Sequence, residues 1–264
     1  YFIENEEIVC MTKDNITFYN IDEEELEKEP TTIEWDIDAA EKGGYEFFML
    51  KEMYEQPQAV GDTLNPRIKD GNVVIEELGM SDDEIRSIRK IYMIACGSAY
   101  HTCVSAKYVF EGLARIPVEV DLASEFRYRH PIYEPDTLAI IVSQSGETAD
   151  SLAALREAKD HGIKVLGIVN VVGSSIAREA DNVMYTWAGP EIAVATTKAY
   201  STQLIAHYLL ALKFAKARGE IDDTQMAEMV EDLKKLPGQI EMLLENKKRI
   251  QKFANRYLAT EHVF

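Results

Sequence analysis

Three hydroxyl side chains, Ser143, Ser145 and Thr148, fall within a six-residue loop (143–148, SQSGET) that directly follows an apolar run. The run predicts a buried strand, and the periodicity after the loop predicts a helix over 147–161. Hydroxyls and the free N–H groups at a helix start suit a phosphate, which the positive end of the helix dipole also favours. Plain N-capping accounts for the same residues, because Ser145 and Thr148 are common at helix starts.

The other residues of this loop limit its chemistry. The loop holds no Lys or Arg, so an anion would be bound mainly through hydroxyls and amides. The carboxylate of Glu147 would repel that anion unless its side chain points away. Gly146 permits a tight turn and a close approach of the backbone to a ligand.

Two further segments have a similar character. After the first predicted strand, Gly97 allows close backbone approach and Ser98 is placed to cap a helix predicted over 99–113. Neither the Gly-x-Gly-x-x-Gly nor the Gly-x-x-x-x-Gly-Lys spacing occurs there, which excludes the usual dinucleotide and Walker loops. Later in the chain, Thr196 is a candidate N-cap for a long helix, and Val194 can offer its backbone groups.

From residue 90 onward, short apolar runs alternate with amphipathic segments. This alternation predicts an α/β fold, a doubly wound parallel five-stranded sheet with helices on both faces. The predicted strands are 90–95, 117–122, 137–142, 164–170 and 183–186. The predicted flanking helices are 45–60, 196–217, one from Asp223, and 237–257. Strand order 2-1-3-4-5 would make strands one and three neighbours, so the two serine-bearing loops would flank one crevice.

Four other polar side chains have competing interpretations. Lys198 is either a Schiff-base lysine or, as we expect, a solvated or ion-paired one. We expect His101 to be a partly buried helix residue rather than a general base. Glu125 and Arg127 either contribute to the crevice or pair with each other, and their spacing does not decide between these alternatives.

The three cysteines, Cys10, Cys96 and Cys103, are too few for a disulfide framework and lack metal-ligand spacing. We expect Cys96 and Cys103 to be buried structural thiols rather than catalytic ones. This cysteine usage favours a reducing, cytoplasmic location and predicts no metal site.

The net charge of −18 would repel a nucleic-acid backbone, so nucleic-acid binding is not expected. No apolar run approaches the roughly 20 residues of a membrane helix, and no signal peptide is apparent. The acidity is concentrated in residues 1–60, which hold 17 acidic and 4 basic residues. A run of like charge is typical of a solvated linker, which we expect over 21–44.

Residues 1–20 predict two short strands, 8–11 and 16–19, joined by a turn at 13–15. Such a hairpin is too small to stand alone, so we expect it to be the end of a larger domain. The last residues, 258–264, begin an apolar run that we expect to be the first strand of a further domain.

The loop SQSGET resembles the phosphosugar signature of SIS domains. The accompanying motifs are ACGSAYH (95–101), LASEFRYR (122–129), NVVGSSIARE (170–179) and EIAVATTKAY (191–200). In this order they resemble the first SIS half of the isomerase part of the glutamine–fructose-6-phosphate aminotransferase family, also called glucosamine-6-phosphate synthases. The resemblance implies a flavodoxin-like SIS fold.

The resemblance also implies a set of substrate-binding positions. They are Ser98, Ala99, Ser143, Gln144, Ser145, Thr148, Val194 and Thr196. Three hydroxyls of the 143–148 loop would hold the sugar phosphate, and Val194 would reach the sugar through its backbone. Ala99 stands where the family often has Ser, and the loss of one hydrogen bond there would cost about 0.5–1.5 kcal/mol.

No catalytic residue and no cofactor are assigned to this chain. The resemblance places the nucleophilic Cys of the glutaminase, the Schiff-base Lys, the acid–base Glu and the ring-opening His outside these residues. Cys10 does not match the nucleophile, because it lies within a predicted strand. Lys198 does not match the Schiff-base lysine.

The implied parent takes ammonia from glutamine and converts fructose-6-phosphate to glucosamine-6-phosphate in hexosamine synthesis. Residues 1–20 would be the last strands of its glutaminase domain, 21–44 its linker, 45–257 the SIS domain and 258–264 the start of a second SIS domain. The fragment would bind the phosphosugar without catalysis, and the parent would be a homodimer. The alternatives are a non-catalytic SIS sugar-phosphate sensor and a dimerisation module.

Overall fold

A computed structural model describes residues 1, 3–30 and 41–261. The chain divides into two compact units, Tyr1–Asp36 and Ile37–Phe264. The first unit is a small antiparallel sheet, in the order β1-β2-β3. Its strands are β1 (Glu7–Met11), β2 (Ile16–Asn20) and β3 (Glu25–Leu26).

The third strand of this unit is a correction to the predicted linker over 21–44. Leu26 pairs with Phe18, and the side-chain carbonyl of Asn20 accepts hydrogen bonds from Asp22 N and Glu24 N. The apolar partner and the Asn-stabilised turn extend the sheet into an acidic segment. Residues 31–40 of that predicted linker lie outside the described residues.

The second unit contains a parallel sheet of five strands. They are β6 (Lys90–Ala95), β7 (Val118–Leu122), β8 (Thr137–Ser143), β9 (Lys164–Val169) and β10 (Asn182–Tyr185), preceded by a short antiparallel pair, β4 (Ile68–Lys69) and β5 (Asn72–Val73). The order β10-β9-β8-β6-β7 is the predicted order 2-1-3-4-5, which is therefore confirmed. β6 and β8 are hydrogen-bonded neighbours, with Ala95 opposite Val142 at their carboxyl ends.

Helices cover both faces of this sheet. The helices of this unit are α1 (Phe48–Leu64), α2 (Asp82–Ser87), α3 (Gly97–Val109), α4 (Ala123–Phe126), α5 (Ala149–Asp160), α6 (Ser175–Glu179), α7 (Lys198–Arg218), α8 (Asp223–Lys234), α9 (Leu236–Glu245) and α10 (Lys247–Ala254). α3 continues through a π-helical turn to Ala114. The predicted doubly wound α/β fold is confirmed.

The sheet separates two apolar layers, because successive side chains of a strand point to opposite faces. Ile91 and Met93 pack into the layer formed with α1, α3 and α7. Tyr92 and Ile94 pack into the layer formed with α4 and α5. Burial on both faces explains why these strands are continuous apolar runs rather than alternating ones.

The C-terminal helical region differs from the single helix predicted over 237–257. α9 ends at Glu245, and Asn246, which has φ −81° and ψ 10°, separates it from α10. The Asn246 side chain donates a hydrogen bond to Met242 O at 2.9 Å. Asn has a low helix propensity because its amide competes for backbone partners. Of the predicted strand over 258–264, residues 262–264 lie outside the described residues.

Candidate functional site

Three segments at the carboxyl end of the sheet enclose a cavity of about 290 Å³. They are the 143–148 loop after β8, the start of α3 after β6, and the 191–196 segment before α7. All eight predicted substrate-binding positions line this cavity: Ser98, Ala99, Ser143, Gln144, Ser145, Thr148, Val194 and Thr196. Residues up to 98 positions apart in sequence therefore share one crevice, as the strand order predicts.

The 143–148 loop is held by its own hydroxyl groups. Ser143 Oγ accepts a hydrogen bond from Gly146 N at 3.1 Å and lies 3.0 Å from Thr148 Oγ1. Ser145 Oγ accepts from Glu147 N at 3.2 Å. Thr148, rather than the expected Ser145, is the residue that precedes α5. Two backbone hydrogen bonds add to this, from Asn170 N to Gln144 O and from Ile176 N to Gly146 O, each at 3.0 Å, so the loop is preorganised by its own hydroxyls and by the 170–176 segment.

Gly146 occupies a position that only glycine fits. Its φ is +67°, and a Cβ atom there would lie 2.0 Å from Ser174 Oγ and 2.6 Å from Ser174 Cβ. Side chains are strained at such φ values, and the Ser174 Cβ is fixed by its own backbone. Close packing against Ser174 thus shapes the turn.

The Glu147 carboxylate points away from the cavity. Its Oε1 accepts a hydrogen bond from Ser175 N at 2.7 Å, at the start of α6, and Glu147 does not line the cavity. The repulsion that this side chain would exert on an anion is therefore reduced. A sequence motif alone does not show this orientation, because the partner lies 28 residues away.

The start of α3 forms the second wall. Cys96 precedes the helix and Gly97 begins it, so Ser98 lies in the first turn and does not cap the helix as predicted. Ser98 and Ala99 both line the cavity. First-turn N–H groups of a helix lack intrahelical acceptors, so this wall offers backbone donors to an anion.

The 191–196 segment forms the third wall. Val194 is fully exposed at the cavity, and Thr196 Oγ1 donates to Glu191 Oε2 at 2.9 Å. Glu191 Oε1 accepts from Thr197 N at 2.9 Å and Ala199 N at 3.1 Å. A carboxylate at this place satisfies the open end of α7, so Glu191 performs the capping role predicted for Thr196.

Among the described residues that line the cavity, none is Lys, Arg or His. Lys198 instead pairs with Glu55 at 2.7 Å and is buried, which confirms an ion pair rather than a free amine. Glu191 is the one ionisable carboxylate of the lining, and it is committed to the bonds with the start of α7. The cavity therefore offers mainly hydroxyls, amides and helix N-termini.

Some lining residues are not among the eight predicted substrate-binding positions. They are Cys96, Gly97, Val142, Glu191, Ala193 and Gln203. The first three adjoin the predicted loops and could have been included by proximity alone. Gln203 reaches the cavity from the second turn of α7, and only the tertiary packing of α7 brings it there.

The structure corrects the expectations for three residues outside these loops. His101 is exposed, because Thr102 and Cys103 occupy the inner face of α3. Cys96 is only half-buried. Arg127 pairs with Asp150 at 3.2 Å rather than with Glu125. Neither Glu125 nor Arg127 lines the cavity.

Two buried groups lie beneath the start of α3. Burial raises the pKa of the Cys103 thiol to about 12, so it is protonated and inert, as expected for a structural thiol. Burial lowers the pKa of His207 to about 3, so its imidazole is neutral. His207 Nε2 lies 3.4 Å from Thr102 Oγ1, which donates to Ala99 O at 2.7 Å.

The part of the chain that the structure describes contains neither a candidate metal site nor a candidate membrane span. Over those residues, His, Cys, Asp and Glu side chains form no group of three or more suited to a metal ion. None of the described helices combines the length and apolar character needed to cross a membrane.

The family model for the SIS domain matches residues 84–213. The chain therefore contains an SIS domain over these residues. Residues 84–213 include the five-stranded sheet and the three cavity walls, and they extend into α7. This SIS domain is narrower than the predicted extent of 45–257, whose boundaries stay a prediction.

Over its full length the SIS-containing chain is 52% identical to glutamine–fructose-6-phosphate aminotransferase [isomerizing] of Caldanaerobacter subterraneus subsp. tengcongensis, covering 44% of that protein. It is 53% identical over 98% of its length to the same-named protein of Clostridium acetobutylicum, covering 43% of that protein. The chain thus spans less than half the length of these curated relatives. The resemblance carried by the five motifs is confirmed.

A solved structure supports the same relationship. The C-terminal domain of glucosamine-fructose-6-phosphate aminotransferase from Francisella tularensis aligns with a TM-score of 0.79 and 37% sequence identity. The alignment covers 82% of this chain and 61% of that one. The SIS fold is therefore similar to that of an isomerase part in this family.

Proposed function

We propose that this chain is part of a glutamine–fructose-6-phosphate aminotransferase (isomerising) and that its cavity binds the phosphosugar, fructose-6-phosphate or glucosamine-6-phosphate. One observation carries the proposal: eight positions chosen from the sequence line a single cavity at the carboxyl end of a parallel sheet. The starts of α3 and α5 meet there, and helix starts suit phosphate. The identity to named aminotransferases, reported above, supports the choice of sugar.

In this proposal the two ends of the ligand meet different walls. The phosphate is bound by the 143–148 loop. The three hydroxyl groups of this loop also make hydrogen bonds to one another or to the backbone of the loop. The sugar extends toward Val194, a fully exposed residue whose backbone N–H and C=O are polar groups available to it. The ligand is thereby oriented as well as held.

The chain alone binds and does not catalyse. Imine formation requires an amine, and proton transfer between carbons requires an acid–base group. No Lys or His lines the cavity among the described residues, and Glu191 is already bonded to the start of α7. In the proposed cytoplasmic parent, a second SIS domain, a glutaminase domain and a homodimer partner complete the enzyme.

Calorimetric titration with fructose-6-phosphate and, separately, fructose tests this proposal. We expect the phosphorylated sugar alone to bind, at millimolar affinity or about −4 kcal/mol. Ser145→Ala with Thr148→Ala should abolish binding. The matched control is Ser105→Ala with Thr224→Ala, which removes one Ser and one Thr hydroxyl outside the cavity lining.

The outcomes separate the candidate functions. Binding of both sugars, or loss of binding in the control pair, would contradict a phosphate site at the 143–148 loop. Absence of binding by the unaltered chain would mean that the cavity needs the second SIS domain or that the 143–148 loop only caps a helix. Turnover by the purified chain would contradict the absence of catalytic groups.

A further inference from the structure

One face of α1 supports the 191–196 segment. Glu52, Glu55 and Gln56 are spaced i, i+3 and i+4, so their side chains project from the same side of the helix. Glu55 pairs with Lys198, and Gln56 Oε1 accepts a hydrogen bond from Ser201 Oγ at 2.7 Å. These two contacts join α1 to α7, behind the cavity.

Glu52 acts differently, because its contacts are with the backbone of the cavity wall. Its Oε1 accepts hydrogen bonds from Ile192 N at 2.6 Å and from Ala193 N at 3.0 Å. Two successive N–H groups on one carboxylate oxygen fix the direction of the intervening peptide. The next residue is Val194, which is fully exposed at the cavity.

The burial of Glu52 is costly for stability. The side chain is 1% exposed, and its second oxygen, Oε2, has no hydrogen-bond partner among the described residues. A buried carboxylate oxygen without a partner is unfavourable, and an apolar residue of similar size would avoid that cost. Such a residue would leave the N–H groups of the cavity wall unpaired.

The geometry points to Glu52 as a positioning residue for the sugar-binding wall. We propose that its carboxylate sets the backbone at Ala193 and Val194 so that this wall contacts the sugar of a bound phosphosugar. The phosphate does not depend on Glu52, because the 143–148 loop is held by its own hydroxyls and by backbone hydrogen bonds from Asn170 and Ile176 rather than by α1. This role rests on the proposed function and adds a residue that does not line the cavity.

The test compares two ligands across a set of variants of the chain. Dissociation constants for fructose-6-phosphate and for inorganic phosphate are measured by titration while amide signals are followed by NMR. We expect Glu52→Ala to raise the dissociation constant for fructose-6-phosphate about tenfold and that for phosphate less than about twofold. Glu52→Gln keeps one oxygen acceptor and should rescue most of the sugar affinity.

Glu55→Gln is the matched control. It changes the same residue type, on the same face of α1, at a contact with α7 rather than with the cavity wall. We expect it to lower stability while leaving the ratio of the two dissociation constants unchanged. If Glu52→Ala does not fold, Glu52→Asp is used in its place. The Asp side chain is one carbon shorter, so its carboxylate lies farther from Ile192 N and Ala193 N.

Each outcome has a distinct meaning. If the unaltered chain binds fructose-6-phosphate and Glu52→Ala leaves the ratio of constants unchanged, the positioning role is wrong and the proposed function stands. Equal weakening of both ligands would assign Glu52 a purely structural role. If the unaltered chain binds fructose-6-phosphate no more tightly than inorganic phosphate, the proposed function is wrong, and the positioning role fails with it.

Discussion

Two walls of the same cavity are stabilised in different ways. The 143–148 loop is held by contacts of Ser143 Oγ with Gly146 N and Thr148 Oγ1, together with backbone hydrogen bonds from the 170–176 segment. The 191–196 segment depends on two carboxylates, Glu191 nearby and Glu52 about 140 positions away in sequence. The first wall is therefore held by its own hydroxyls and the 170–176 segment, and the second wall by a carboxylate from a helix far away in sequence.

The difference suggests a division of tasks. A wall held by its own hydroxyls and by the 170–176 segment keeps its shape when α1 moves, which suits the fixed geometry of a phosphate. The 191–196 wall has hydrogen bonds to both α1 and the start of α7, so a change in either helix alters its position. Changes to each wall should therefore have separable effects on stability and on ligand preference.

The largest expected effect comes from Gly146→Ala. The new Cβ would overlap Ser174 and require an unfavourable φ, so we expect a loss of about 3 kcal/mol in the free energy of unfolding. Urea denaturation measures it. Gly162→Ala is the control, because Gly162 has φ +73° but open space around its Cβ position, and should cost about 1 kcal/mol. Equal losses in both variants would refute the role of Ser174.

Glu191→Ala should have the next largest effect. It removes the acceptor for Thr197 N and Ala199 N at the start of α7, at a cost of about 1–2 kcal/mol in the free energy of unfolding. Glu191→Gln keeps the accepting oxygen and should lose less. If the two variants were equally destabilised, the charge rather than the capping geometry of Glu191 would be responsible.

A smaller effect is expected from the buried His207, which contacts α3 through Thr102, and it appears as a dependence of the free energy of unfolding on pH. The pKa of His207 is lowered by burial to about 3, so the unfolded chain binds a proton below about pH 6.5 that the folded chain does not. Stability from this residue is therefore complete above pH 6.5 and falls as the pH decreases toward 3. Between pH 7.5 and 5.5 we expect a loss of about 1.4 kcal/mol.

Unfolding of His207→Gln at the two pH values checks this expectation. Gln has no group that titrates in this range, so the variant should show a correspondingly smaller difference in the free energy of unfolding. An unchanged difference would mean that other groups cause the pH dependence and that His207 does not contribute to it.

The sequence predicted the fold and the cavity well where the signal was local. Continuous apolar runs gave the five strands of the sheet within one or two residues at most ends, because buried parallel strands need no alternation. Neighbouring strands then brought Ser98 and Ser143 to one crevice. These successes depend on periodicity and on the topology of parallel sheets.

The failures concern the orientation and long-range partners of side chains. Propensity could not show that the hydroxyls of Ser98 and Ser145 do not cap helices, since capping depends on where the helix begins. His101 was expected to be partly buried, but the periodicity of α3 was too weak to assign its inner face. Glu52 gave no signal, because its partners are distant in sequence.

The absence of cations among the described residues lining the cavity has a consequence for association kinetics. An anion approaches a chain of net charge −18 and finds no Lys or Arg at the cavity to attract it. Long-range repulsion then slows encounter, and added salt weakens that repulsion, because the Debye length falls from about 30 Å at 0.01 M to about 8 Å at 0.15 M. Salt should accelerate the association of an anion here, whereas it slows association at basic sites.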